Sequence, residues 1–195
     1  NCGQESSITQ TSLLGTGSIP TSADSTDTTS SDGDMITVWR TTTSSEIVEL
    51  PIDGNYSFTI DWGDGSAVET DQLSHIYAAA GDYTVTISGT IEEWTKGSEQ
   101  LIQVVNLGDL GWKKVSFEDA INLTSFAGGV TTGITSMGFM FKNNSSLTSI
   151  DLSSFNTSKV TDMSYMFYGT ESLASLDLSS FDTSSANTMY GMFHR

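Results

Sequence analysis

Cysteine is almost missing from this chain. A single residue, Cys2, stands among 195, which excludes an internal disulfide and any cysteine-based zinc cluster. Positive charge is equally scarce: 7 Lys and Arg face 24 Asp and Glu, for a net charge of −17. Without a basic patch to neutralise phosphates, nucleic acid is excluded as a partner. No apolar run approaches the roughly 18 residues that a membrane-spanning helix needs. Catalytic patterns are missing as well. There is no nucleophile elbow, no His pair, no Gly-rich phosphate loop and no acid pair at a useful spacing. The expectation is therefore a protein that is not an enzyme, with no catalytic residue and no cofactor. The apolar share of 36% suits two modest cores better than one large one.

What is present begins with a tail. Residues 1–34 are Ser, Thr, Asp and Gly with hardly an aromatic. Such a segment cannot bury enough apolar surface to offset its ordering entropy, and it reads as a disordered linker. Its "CGQESS" opening resembles the mature start of bacterial lipoproteins, in which an acylated cysteine precedes a polar tether. That resemblance implies lipid attachment at Cys2, a cell-surface or extracellular location, and no membrane contact other than the anchor. A free cysteine in a tail is the alternative.

From Met35 to residue 97 the pattern becomes β. "MITVW", "IVELPI", "YSFTIDW" and "YTVTISGTI" are short runs rich in β-branched and aromatic residues, several of them alternating apolar and polar positions. "DGN" at 53–55, "GDGS" at 63–66 and "AGD" at 80–82 read as turns between them. Strands this short and this regularly spaced predict a small β-sandwich. Gly63 and Gly65 suit positive φ in a tight turn, Trp62 is a candidate core anchor, and Tyr83, Val85 and Ile87 share one strand face. Asp61, Asp64 and Asp82 invite a calcium reading, since carboxylates suit a hard cation. Each lies beside a glycine or a strand end, so turn chemistry is the favoured reading and calcium the alternative. His75 has no recognisable nucleophile nearby and reads as framework. "FTIDWGDGS" followed by "LSHIYAAAGDYTVTISG" resembles the polycystic kidney disease (PKD) domain family, which implies an immunoglobulin-like β-sandwich in which His75 is part of the framework.

Residues 98–195 repeat themselves. Phe117, Phe141, Phe167 and Phe193 are spaced 24, 26 and 26 apart, and units start at Leu123, Leu147 and Leu173. Phe126, Ile150 and Leu176 correspond, as do Met137, Met163 and Met189, then Met140, Met166 and Met192. "LTSIDLSSF" has the spacing of a leucine-rich-repeat strand, and "KVTDMSYMF" places Val160, Met163, Met166 and Phe167 at helical spacing. Thr157 or Ser158 is the candidate helix cap. One strand and one helical turn cannot bury both apolar faces alone, whereas stacked copies can. The predicted fold class is thus multi-domain: a β-sandwich followed by an α/β leucine-rich-repeat solenoid. "LDLSSFDTS" with "M-x-x-MF" resembles the BspA-like leucine-rich-repeat surface proteins of bacteria. The array shows no polar cap at its last copy, so a truncated array is expected.

Function is expected to be binding. The resemblance implies a non-catalytic cell-surface adhesion protein that meets a protein or matrix ligand on another cell or host. The candidate partner face is the exposed strand face, with Asp151, Asp177, Ser149, Ser175, Ser153 and Ser179, whose carboxylates suit a basic partner. A solvated face without a partner is an equally open reading. The alternative function is an accessory carbohydrate- or matrix-binding module of a secreted hydrolase. That would require exposed aromatics, with Trp39, Trp94 and Trp112 as candidates.

Overall fold

A computed structural model describes residues 33–194. Cys2 and most of the expected linker lie outside the described residues. Ten strands follow in order: β1 (Met35–Thr41), β2 (Glu46–Glu49), β3 (Ile52–Asp61), β4 (Glu69–Thr70), β5 (Ser74–Tyr77), β6 (Gly81–Trp94), β7 (Leu101–Asn106), β8 (Lys114–Val115), β9 (Ser125–Ala127) and β10 (Ser149–Asp151).

The first part is β-sandwich-like. β6 is long enough to serve two neighbours, its first half pairing antiparallel with β1 and its second half with β3. β2 and β5 form a separate two-stranded sheet. Val48 and Tyr77 of that small sheet are buried in the same core as Trp39, Val85, Ile87 and Trp94. The expected turn at 53–55 is instead an irregularity inside β3, where the register with β6 shifts between Asp53 and Tyr56. Gly54, at φ 76°, supplies the left-handed residue such a bulge needs.

The large sheet does not stop at the sandwich. Its order is β10-β9-β7-β1-β6-β3-β4, with β8 alongside β6. β7 pairs antiparallel with β1 on one side and parallel with β9 on the other. β10 then continues the parallel ladder, with Ile150 opposite Phe126, and Phe126 opposite Val104. One hydrophobic core runs from Met35 to Met192.

The copies stack in the register that the phenylalanine spacing implies, but the fold class expected for them is wrong. The described residues contain no α-helix, so there is no α/β solenoid. In place of the helix each copy has consecutive tight turns. Alternate amides, those of Met163, Tyr165, Phe167 and Gly169, donate to Thr188, Tyr190, Met192 and His194 of the next copy. An α-helix would keep those donors for its own carbonyls. Tyr165 and Gly169 also have positive φ, 56° and 69°, as do Phe139 and Asn143 one copy earlier at 64° and 60°. Left-handed residues at that frequency cannot belong to a right-handed helix. The i, i+3 spacing of Val160, Met163 and Met166 is real and all three are buried, but it arises from turns. Thr157 caps no helix. Its buried hydroxyl donates to the Asp182 carbonyl at 3.1 Å and accepts from the Asp182 amide at 2.8 Å, pinning one copy to the next. Thr131 accepts the Asn156 amide in the same way at 2.9 Å.

Candidate binding surface

The turn motif of the sandwich is built from its own side chains. Asp61 accepts the Gly63 amide at 2.8 Å and Asp64 accepts the Ser66 amide at 3.0 Å. Gly63, at φ 74°, lies so close to Thr84 that a Cβ there would sit 2.2 Å from the Thr84 carbonyl oxygen. The other Asp64 oxygen is 2.8 Å from His75 Nε2. The His75 ring stacks on Trp62 at 5.1 Å and meets Tyr77 edge-on at 4.7 Å. The Tyr77 hydroxyl in turn donates to the Trp62 carbonyl at 2.8 Å. Burial, first of all, pushes the Tyr77 phenol above its ordinary value. Hydrogen bonds from Ser66, with burial opposing them and His75 adding to them, hold the Asp64 carboxyl down at about 2.

Asp82 is elsewhere, held by a two-pronged ion pair with Arg40 at 2.7 Å for each contact. The three aspartates considered for calcium are thus each committed to a protein donor. No group of three or more His, Cys, Asp or Glu side chains able to hold a metal occurs among the described residues.

Ser149, Asp151, Ser153, Ser175, Asp177 and Ser179 are all exposed. Ser149 and Asp151 belong to β10, opposite Ser125 and Ala127 of β9. Ser175 and Asp177 occupy the same phase one copy later, in a segment that forms no strand. Each aspartate also shapes its own turn. Asp151 accepts the Ser153 amide at 2.9 Å and Asp177 the Ser179 amide at 2.8 Å. These backbone bonds are the main reason that both carboxyls lie below their ordinary range. One oxygen of each is therefore occupied locally while the side chain stays in solvent. Cys2, the expected lipid attachment residue, lies outside the described residues.

Trp39, Trp94 and Trp112 are core residues, at most 2% exposed. Any stacking of a ligand on aromatic rings would have to use other residues. Phe139, Tyr165, Tyr168 and Tyr190 are such residues, lining a groove on the repeats. The sequence reading passed over them because they are interleaved with the buried Met and Phe positions of "SYMFYG". The only hint was that Tyr165 and Tyr168 fall between, not on, the repeat's apolar phases.

Residues 20–105 match the family described as PKD domain. The chain carries a PKD-like domain. Residues 113–195, the repeated part, match a second family, described as Mycoplasma protein of unknown function, DUF285. No curated protein and no solved structure matches the chain. The PKD-like match ends within β7, the strand that joins β1 to β9. The PKD-like domain therefore offers its sheet edge as the first rung on which the repeats are laid.

Proposed function

We propose that this chain is a non-catalytic binding protein of the bacterial cell surface, whose repeated part meets a protein partner on a host, a matrix or another cell. The observation that carries this reading is the in-register stacking of the copies. It repeats the Ser-x-Asp-x-Ser face at Ser149, Asp151 and Ser153 and again at Ser175, Asp177 and Ser179, all exposed. A surface that repeats one polar pattern along a stack suits an extended partner better than a small substrate. Its carboxylates, on a chain of net charge −17, favour a partner with basic groups.

The words "LDLSSFDTS" and "M-x-x-MF" resemble the BspA-like surface proteins, and the Cys2 context resembles that of lipoproteins. Together they order the chain from a lipid anchor through a tether and the PKD-like domain to an outward repeat array. Immobilised chain, exposed to purified host-matrix and bacterial surface proteins at low and high salt, tests the reading. Saturable capture of a basic partner that weakens as salt rises is expected. Failure to capture any of these proteins at low salt would refute it.

A further inference from the structure

The exposed aromatic groove has a construction of its own. Phe139 and Tyr165 hold the same phase in successive copies, with ring centroids 5.3 Å apart and planes 21° from parallel. Tyr190 of the next copy meets Tyr165 edge-on at 5.3 Å. Tyr168 meets Tyr165 edge-on at 5.8 Å and stacks on His194 at 5.7 Å. With Lys142 and Asn143 these rings bound a groove of ≈ 900 Å³. Phe139 is 38% exposed and Tyr190 71%. Phe117, Phe141 and Phe167 form a separate stacked column in the core, so these outer rings are not needed to fill it.

Two of the rings stand on unfavourable backbone. Phe139 and Tyr165 have φ of 64° and 56°, where bulky residues are rare. The third copy solves the same position with Gly191, at φ 63°. A glycine would serve the turn in every copy, so the aromatic side chains at 139 and 165 answer to something besides the turn.

Charge narrows what that is. Lys142 bonds Glu118 at 2.8 Å and lies 5.1 Å from the Phe139 ring centre. Its charge is thereby matched, and among the described residues no carboxylate lines the groove. A cationic ligand would find the Phe139 face already taken by Lys142 and would meet that ammonium in the groove lining. A polyanion would approach against the field of a chain with net charge −17. A peptide adding as a strand would find the amides of Phe139 and Tyr165 already bonded to Ser164 and Tyr190, both at 2.9 Å. What remains is a neutral ligand with flat apolar faces and a hydroxyl-rich rim.

We propose that this groove binds a neutral glycan chain, with sugar C–H faces lying on Tyr165, Tyr168 and Tyr190 and sugar hydroxyls bonding to Asn143 and the tyrosine hydroxyls. The site is separate from the Asp151 and Asp177 face, so it stands or falls independently of the protein-partner reading.

The test is calorimetric titration of the full chain with cellohexaose, N-acetylchitohexaose and mannohexaose, alongside a polygalacturonate hexamer and a proline-rich dodecapeptide. Binding of at least one neutral hexasaccharide, insensitive to salt, is expected. Tyr190→Ala and Tyr165→Gly should each weaken it about tenfold, the loss of one stacked ring. Tyr165→Gly retains the backbone conformation that Gly191 already uses, and a thermal melt checks that it folds. Should it fail to fold, the exposed Tyr190→Ala variant decides. Silence from all three neutral sugars, preference for the acidic hexamer or the peptide, or sugar binding unchanged in the folded variants would overturn the proposal.

Discussion

Phe141 and Phe167 lie face to face across two copies of the repeat, 5.7 Å apart with planes 10° from parallel. Phe117 extends the column on one side at 6.2 Å and Phe193 on the other at 5.9 Å. The column makes each copy the packing surface for the next. Phe141 is fully buried within it, whereas Phe193 is 58% exposed. Phe141→Ala should therefore cost about 3–5 kcal/mol in urea-induced unfolding. Phe193→Ala should cost less than about half of that, since much of its ring already meets water. Equal losses at the two positions would mean that the stack is not organised around this column.

Asn144 is the weak point of the same stack. Its side chain is fully buried, and neither its amide nitrogen nor its oxygen has a hydrogen-bond partner among the described residues. Ala120 and Thr170 hold the same phase in the neighbouring copies, and the Thr170 hydroxyl donates to the Phe167 carbonyl at 2.9 Å. Asn144→Thr should gain about 1 kcal/mol by replacing an unpaired amide with a hydroxyl that can pair locally. A urea midpoint lower than that of the parent chain would show that the amide has a role the packing does not reveal.

The Asp64 carboxylate of the PKD-like domain, held by Ser66 and then by His75, makes a pH prediction. Folding lowers the Asp64 carboxyl to about 2, below an unfolded value of about 4. A depressed carboxyl stabilises the fold above the unfolded value and ceases to do so as pH falls through the folded one. The melting temperature of Asp64→Asn should thus fall below that of the parent at pH 6, and the gap should close between about pH 4 and pH 2. A gap that stays constant down to pH 2 would assign the effect of the substitution to packing alone.

Much of the architecture was legible in the residues. Alternation in "MITVW" and "YTVTISGTI" located β1 and β6 because one face of each strand is buried and the other is not. The glycines of "GDGS" located their turn because Gly63 has no room for a side chain. The repeat phases were legible as well, since Phe126 and Ile150 face each other in the ladder as their positions in the repeat require. The helix was misread because Val160, Met163 and Met166 recur at a spacing that buried turns share with helices. What separates the two is the left-handed backbone at Phe139 and Tyr165, and aromatic residues there carry no such signal as a glycine would.

The candidate surface was only partly legible. Exposure of Asp151 follows from strand alternation, and Asp177 is exposed at the same phase one copy later although no strand forms there. Their capture of the Ser153 and Ser179 amides was not legible that way, because it depends on the turn that follows. The tryptophans offered for sugar contact are core, because large rings in a β-rich chain are the first to be buried. The outer tyrosines were hidden by the core residues beside them.

The most direct measurement is capture of a surface-protein partner by the immobilised chain and by its Asp151→Asn, Asp177→Asn variant. Asparagine removes the charge but keeps the turn, as Asn156 does in accepting the Ser158 amide at 3.1 Å. The expected result is loss of most capture by the variant, with a melting temperature close to that of the parent chain. Capture retained in full by a folded variant would contradict the assignment of this face to binding.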